Sequence, residues 1–126
     1  MPGGVYGWPK NVLHWAGIAE SIADLHATFP RQFAIVDGIV GMHGNGPIQG
    51  TAKYAGVVVA GSDPVAVDAT CCRIMGIDPL KLAYLQMASD GLGVTDESRI
   101  EQRGEPIRAV RTNFQLIDQF RHVRLV

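Results

Sequence analysis

Two short apolar segments joined by a glycine-rich stretch limit the folds open to this chain more than any other feature. Residues 33–36, continuing towards Val40, and residues 55–60 have the β-branched composition of buried strands. Residues 41–50 between them contain four glycines and a proline, which predict a loop rather than a helix. Because parallel neighbours usually need a helical crossover, antiparallel pairing of the two strands is favoured over parallel pairing.

The direction of pairing decides which polar side chains come together. In an antiparallel pair, Asp37, His43 and Asn45 cluster at one end, and Asp63 is left out unless its chain folds back. In a parallel pair, Asp37 and Asp63 leave the same carboxyl edge of the sheet, where open α/β folds bind ligands. The residues alone leave both arrangements open.

Helices are predicted on either side of the strand pair. Apolar residues recur at helical spacing over residues 17–28, and Pro30 ends that helix. Asp63-Pro64 and Asp78-Pro79 each place a capping carboxylate before a proline at the first helical position. These two dipeptides predict helices over residues 64–75 and 79–90, of which the first is apolar on most sides and therefore buried.

Length and composition complete the prediction of the fold. The chain has 126 residues, and its 47% hydrophobic and 18% charged content argues against disorder. We therefore expect a single domain over residues 1–126, of the α/β (or α+β) class, with a small mixed sheet and helices packed on it. Weaker patterns predict irregular structure over 1–16, short strands over 98–102 and 107–110, and a helix or strand over 114–120.

Charge and cysteine content exclude several classes of function. Eleven basic residues against twelve acidic ones give a net charge of −1, so nothing drives the chain onto nucleic acid or an anionic membrane. Cys71 and Cys72 are the only cysteines, and two adjacent thiols cannot hold an iron–sulfur cluster or a zinc ribbon from this chain alone. The sequence shows no signal peptide and no membrane helix, so we expect reduced thiols and a cytoplasmic location.

The glycine-rich stretch is also the first candidate for a site. Its glycines allow close backbone approach to a ligand, and clustered N–H groups can bind an anion. Asp37, His43 and Asn45 add a carboxylate, an imidazole and an amide, and Gly44 and Gly46 flank the amide. The alternative to a binding site is a tight structural loop whose polar side chains point into solvent. Composition alone favours this structural interpretation over a binding site.

Asp68 is the second candidate, because at helical spacing it shares an apolar face with Val65, Cys72 and Met75. A buried carboxylate needs a partner, a proton or a metal ion. Arg73, Lys53 or a backbone N–H would serve as a structural partner, and a role in a site is an equal alternative.

Together these residues predict a small-molecule or divalent-metal site formed by residues 37–50 and Asp68. The candidate catalytic and metal-binding side chains are Asp37, His43 and Asp68, and Gly44, Asn45, Gly46 and Asp63 are further ligand-binding candidates. Asp63 is first of all a helix cap, and a ligand beside it would be a metal ion or a cationic group.

Several of these motifs resemble a prokaryotic family known as domain of unknown function 362. The resemblance covers nearly the whole chain and is carried by residues 6–14, 35–47, 61–70 and 75–79, including the runs Val36-Asp37-Gly38 and Gly61-Ser62-Asp63-Pro64. This chain has His43 where the family commonly has Glu.

The resemblance implies a site around Asp37, Asn45, Gly46, Asp63 and Asp68 but no settled activity. Family members are usually longer, with an upstream α/β region and in some cases ferredoxin-type cysteines, so this chain resembles their C-terminal part. The alternative function is therefore a non-catalytic subunit, self-associated as a homo-oligomer or bound to an iron–sulfur redox partner. An exposed sheet edge or apolar face would favour that alternative.

Overall fold

The computed structural model describes residues 17–126, and the irregular structure predicted for residues 1–16 lies outside that range. The α/β class is confirmed, since a β-hairpin packs against helices. The elements in chain order are α1 (Ile18–Thr28), β1 (Ala34–Asn45), β2 (Gln49–Gly61), α2 (Pro64–Met75), a 3₁₀ turn (Pro79–Lys81), α3 (Ala83–Ala88), a 3₁₀ turn (Glu97–Arg99), α4 (Ile107–Val110) and a 3₁₀ segment (Asp118–Val123).

The glycine-rich stretch belongs to a long hairpin, so the loop predicted over residues 41–50 is wrong. β1 and β2 pair antiparallel from Ala34 opposite Gly61 to Asn45 opposite Gln49. The favoured antiparallel pairing is confirmed. Within residues 17–126 the sheet has these two strands, and the parallel pairing of a mixed sheet does not occur there.

Glycines are tolerated in these strands because neighbouring groups approach their backbones closely. A Cβ on Gly41 would lie 2.9 Å from the Phe114 ring, and one on Gly61 would lie 2.9 Å from a methyl of Val67. Glycine at these positions lets the hairpin pack tightly against the rest of the chain.

A β-bulge between Gly38 and Val40 resets the alternation of the hairpin. Before the bulge Asp37 faces outward opposite Val58, and after it Val40 faces outward opposite Tyr54. The inward face packs against α2 and against residues 107–126, which we call the C-terminal segment. The outward face stays exposed. Its exposed large apolar side chains are Ile35, Val40, Met42, Tyr54 and Val58, and Ile39 within the bulge is exposed as well.

The helix predicted over residues 64–75 is confirmed as α2. Asp63 caps its start, and Gly76 ends it in the left-handed conformation with φ 78°. Val65, Cys72, Leu85 and Ala88 form a buried cluster between α2 and α3. The prediction that this helix is buried is confirmed as well.

The helix predicted over residues 79–90 is interrupted. Asp78 does cap it, but its side chain starts a 3₁₀ turn, and Leu82 is extended with ψ 123° before α3 begins. Leu82 packs against the buried cluster, and that tertiary contact overrides the local helical preference.

The strands predicted near the C-terminus are wrong, because residues 98–102 and 107–110 form no ladder. Asp96 caps a 3₁₀ turn by accepting hydrogen bonds from the N–H and hydroxyl of Ser98. Residues 107–110 form the helical turn α4 after Pro106. The 3₁₀ segment at 118–123 overlaps only the end of the element predicted over 114–120.

The C-terminal segment completes α2 rather than forming a strand of its own. The N–H groups of Thr112 and Phe114 donate to the carbonyls of Ile74 and Met75, at 2.8 and 3.0 Å. These bonds satisfy carbonyls that a helix end would leave without partners. Within residues 17–126, no helix is both long enough and apolar enough to cross a membrane.

Candidate functional site

Asp68 lies in a cleft between three helices and not beside the hairpin tip. The cleft has a volume of about 250 Å³, and its apolar walls come from α1, α2 and α3. Its wall residues include Ile22, Leu25, Phe29, Val65, Leu85 and Ala88. We call this site the Asp68 cleft, and its polar members are Asp68, Tyr84, His26 and Gln32.

The helical period explains why Asp68 faces this cleft. Val67, Thr70 and Ile74 of α2 face β2, while Asp68 lies on the opposite side of the helix with Val65. Asp68 is therefore turned towards α1 and α3. The structure separates Asp68 from the glycine-rich stretch with which the sequence grouped it.

Burial sets the acidity of the polar groups in the cleft. Desolvation raises the pKa of the Asp68 carboxyl above its ordinary value of 3.8, and a hydrogen bond from Tyr84 and the charge of His26 oppose that rise. Desolvation and the nearby charge of Asp68 raise the pKa of the Tyr84 hydroxyl. Tyr84 therefore stays a hydrogen-bond donor towards the carboxylate at neutral pH.

His26 is held in place by contacts at both ring nitrogens. Nε2 lies 3.0 Å from the carbonyl oxygen of Leu92, and Nδ1 lies 3.4 Å from the amide nitrogen of Gln32. An amide N–H that donates to Nδ1 leaves Nε2 to donate to the carbonyl. His26 thus faces the cleft while its N–H is used elsewhere.

Neither structural cation suggested for Asp68 reaches it. Arg73 donates to the carbonyl of Thr95 and lies 3.7 Å from a carboxylate oxygen of Glu97. Lys53 lies opposite Gly41 in the hairpin and does not line the cleft. No ion pair within residues 17–126 includes Asp68.

Asp63 acts as a structural cap with both carboxylate oxygens engaged. Oδ1 accepts from the N–H groups of Val65 and Ala66 at 2.9 and 3.2 Å, and Oδ2 accepts from the N–H of Val94 at 2.9 Å. The capping interpretation is confirmed, and Asp63 also ties the start of α2 to the segment after α3.

A larger cleft of about 580 Å³ lies between β2, α2 and residues 99–105, with Asp63 in its wall. The Asp63 oxygens are occupied, and Arg103 forms a 2.7 Å ion pair with Glu101. These groups are matched, whereas Arg99 and Glu105 in the same wall form no ion pair among the described residues.

The remaining predicted residues, Asp37, His43 and Asn45, lie at different positions along the hairpin. Asp37 pairs with Val58 near the base, where its Oδ1 accepts from the N–H of Ile39 at 3.1 Å, and the side chain is exposed. His43 lies six positions further along the same strand. At about 3.3 Å per residue, the two are about 20 Å apart, so the expected cluster of Asp37, His43 and Asn45 does not form.

The hairpin tip is held by its own side chains. Asn45 donates from its amide to the Gln49 side chain at 2.8 Å. Gly44 adopts φ 81°, which glycine tolerates best, and Gly46 follows Asn45 in the turn. These contacts account for the residues at the tip as parts of a turn.

His43 connects the hairpin to the C-terminal segment. Its Nδ1 accepts a hydrogen bond from the N–H of Gln115 at 3.0 Å, and its ring meets Phe114 edge-on at a centroid distance of 5.8 Å.

Within the described range, no group of three His, Cys, Asp or Glu side chains is arranged to hold a metal ion. Asp37, His43 and Asp68 do not meet.

Cys72 is a buried core thiol, and Cys71 beside it is half-buried. Burial and the charge of Asp68 raise the pKa of Cys71 to about 11 and that of Cys72 to about 12. Neither thiol is activated as a nucleophile, because the thiolate is disfavoured in both.

Comparison with known families gives one match. The model of a family described as Domain of unknown function (DUF362) matches residues 1–73, more than half of the chain. The chain belongs to this family. Comparison with curated proteins and with solved structures finds no match.

The DUF362 match covers only part of the Asp68 cleft. His26 and Asp68 lie inside the matched residues, whereas Tyr84 lies beyond them. The helical spacing correctly predicted Asp68 on an apolar face, but it gave no sign that Tyr84 and His26 are its neighbours. Their helices meet only in the folded chain, so spacing alone does not reveal this contact.

Proposed function

We propose that this chain is a small-molecule-binding domain whose site is the Asp68 cleft. Of the site predicted from the sequence, the proposal keeps Asp68 and replaces the glycine-rich stretch by Tyr84 and His26. The hairpin residues then have structural roles, because each is bound to a neighbour within the fold.

One observation carries this proposal: Asp68, which forms no ion pair within residues 17–126, lies in a cleft whose walls are mostly apolar. Ligand sites commonly combine apolar walls with a few placed polar groups, and strongly perturbed titratable groups are concentrated in such sites. The free energy cost of burying Asp68 is hard to explain for a purely structural residue, since an apolar side chain there would pack without that cost.

Ligand-observed NMR with three small probes of matched chain length tests this function: n-butanol, n-butylammonium and n-butyrate. Ala23 lines the cleft on α1, and Ala27 is exposed on the same helix. Ala23→Leu fills the cleft, and Ala27→Leu is the matched control. We expect at least one probe to bind the wild type and the Ala27→Leu variant, and binding to be lost in Ala23→Leu.

Two results would contradict the proposal. One is the absence of binding by all three probes to the wild type. The other is binding that Ala23→Leu leaves unchanged, which would put the probe elsewhere. Thermal melting of both variants checks that they fold.

A second candidate function, a self-associating subunit, is favoured by the outward face of the hairpin. Five large apolar side chains are exposed there, and Asp37 is the charged residue among them. Large exposed apolar patches mark interaction surfaces. This apolar face of β1 and β2 has no basic side chains with which to bind an acidic partner. We therefore infer that it packs against the same face of a second copy of the chain.

Two copies of the hairpin would pack as the two sheets of a small sandwich. The strands have matching lengths of 12 and 13 residues, and a net charge of −1 gives little repulsion between copies. Asp37 lies within this face, so its carboxylate weakens the association.

Light scattering coupled to size-exclusion chromatography tests the second candidate. We expect a dimer that Val40→Lys dissociates, whereas Leu80→Lys, at a similarly exposed position outside the hairpin, leaves the dimer intact. Asp37→Asn should strengthen the dimer. A wild-type monomer over the full concentration range, or equal effects of the two lysine variants, would rule out this interface.

A further inference from the structure

The Asp68 cleft has the chemical features to select one class of ligand, and this inference rests on the function proposed above. The cleft combines one carboxylate with apolar and aromatic walls. The charged groups around that carboxylate decide what kind of polar group a ligand must bring.

Within residues 17–126, no permanent positive charge lies beside Asp68. No lysine or arginine of the described chain lines the cleft, and the ionisable neighbours are His26 on α1, Tyr84 on α3, and Cys71 and Cys72 on α2 itself. Tyr84 contributes a neutral hydroxyl, and both nitrogens of His26 are engaged with Leu92 and Gln32. Among the described residues, the Tyr84 hydroxyl is the side-chain donor to this carboxylate.

The negative charge of Asp68 determines whether an anionic, neutral or cationic ligand binds best. An anionic ligand would be repelled by the carboxylate at close range, where desolvation strengthens the interaction. A neutral alcohol would fill the apolar space but leave the charge unmatched. A cationic group would both neutralise the carboxylate and donate to its free oxygen positions.

The walls suit an ammonium on a short hydrocarbon chain. Phe29 and Tyr84 supply aromatic rings, whose faces attract cations. Ile22, Leu25 and Leu85 supply an apolar lining for a tail. The volume of about 250 Å³ lies just below the range of about 300–1,000 Å³ that is usual for pockets of drug-sized ligands, which suits a ligand of a few carbons.

We propose that the Asp68 cleft binds small primary ammonium compounds, with the ammonium against the Asp68 carboxylate and a short alkyl tail between α1 and α3. Tyr84 orients the carboxylate by donating its hydroxyl hydrogen, and His26 is a fixed wall rather than a binding group. Guanidinium compounds would compete for the same carboxylate, but they have less room for a tail.

Binding constants of n-butylammonium, n-butanol and n-butyrate at pH 7 test this assignment. We expect n-butylammonium to bind the wild type about tenfold more tightly than n-butanol, as a charge-assisted hydrogen bond would give, and n-butyrate to bind weakest. Asp68→Asn should remove the preference for the ammonium and keep the affinity for n-butanol. Asp24→Asn makes the same charge change at an exposed position on α1 and should keep the preference.

The outcomes separate this inference from the proposed function. Equal or tighter binding of n-butanol by the wild type would overturn the ligand class but support a small-molecule site. An ammonium preference that persists in Asp68→Asn would also overturn it. Failure of all three probes to bind would overturn both.

Discussion

The Nδ1 atom of His43 accepts a hydrogen bond from the backbone N–H of Gln115, at 3.0 Å. The N–H of Gly44 returns a bond to the carbonyl of Gln115, at 3.1 Å. This pair of bonds fixes the C-terminal segment against the hairpin. The same segment supplies the N–H groups that satisfy the end of α2, so His43 indirectly supports the helix that carries Asp68.

Replacement of His43 should therefore destabilise the fold. His43→Ala removes one hydrogen bond and the edge-on contact with Phe114, and each contributes about 0.5–1.5 kcal/mol. His43→Phe keeps an aromatic ring but removes the acceptor, so it should cost less than His43→Ala. Urea unfolding measures both, and an unchanged midpoint for His43→Ala would show that the Gln115 contact carries no stability.

The close approach of Gly41 to Phe114 gives a second prediction. A Cβ at Gly41 would lie 2.9 Å from the ring, so Gly41→Ala should destabilise by about 1–3 kcal/mol through overpacking. Phe114→Leu shortens the side chain and should reduce the cost of Gly41→Ala in the double variant. Additive effects in this cycle would mean that the two residues do not constrain each other.

The sequence predicts the parts of this fold that local chemistry sets. α1 and α2 were predictable because residues typical of helix ends bound them. Pro30 follows α1, Asp63-Pro64 starts α2, and Gly76 ends it. The antiparallel pairing was predictable because the stretch between the two strands has no helical pattern, which a parallel crossover usually needs.

Features set by distant contacts were not predictable from the sequence. Glycine is uncommon in strands, so residues 41–50 resembled a loop, and only the rings and methyl groups that lie against Gly41 and Gly61 explain the hairpin. Asp68 was visible as a polar residue on an apolar face, but Tyr84 and His26 reach it through tertiary packing. The candidate site was therefore half predicted.

The two Asp-Pro starts provide a matched pair for a third prediction. Asp63 accepts from three backbone N–H groups, including that of Val94 across the fold, whereas Asp78 accepts from Leu80 alone in an exposed turn. Asp63→Ala should cost about 2 kcal/mol, at the upper end for a capping residue, and Asp78→Ala should cost about 0.5–1 kcal/mol.

Denaturant unfolding of the two alanine variants compares these caps directly. Asp63→Asn keeps one acceptor oxygen and should recover part of the stability that Asp63→Ala loses. Equal losses for Asp63→Ala and Asp78→Ala would mean that the bond to Val94 adds nothing to the cap.

The raised pKa of Asp68 makes the stability of the fold depend on pH in a defined direction. The folded state holds this proton more tightly than the unfolded chain, whose carboxyl has the ordinary pKa of 3.8. The stability contributed by Asp68 is therefore fully present below pH 3.8 and is lost as the pH rises through the folded pKa.

Comparison with Asp68→Asn measures the effect of this carboxyl against a background that keeps the other titrating groups. The variant should gain stability relative to the wild type as the pH rises from about 3.5 to 7, because an amide avoids the cost of burying a charge. Urea unfolding at intervals across this range measures the difference. A difference independent of pH, or one that grows as the pH falls, would mean that the cleft does not disfavour the charged carboxylate, and the case for a cationic ligand would lose its electrostatic basis.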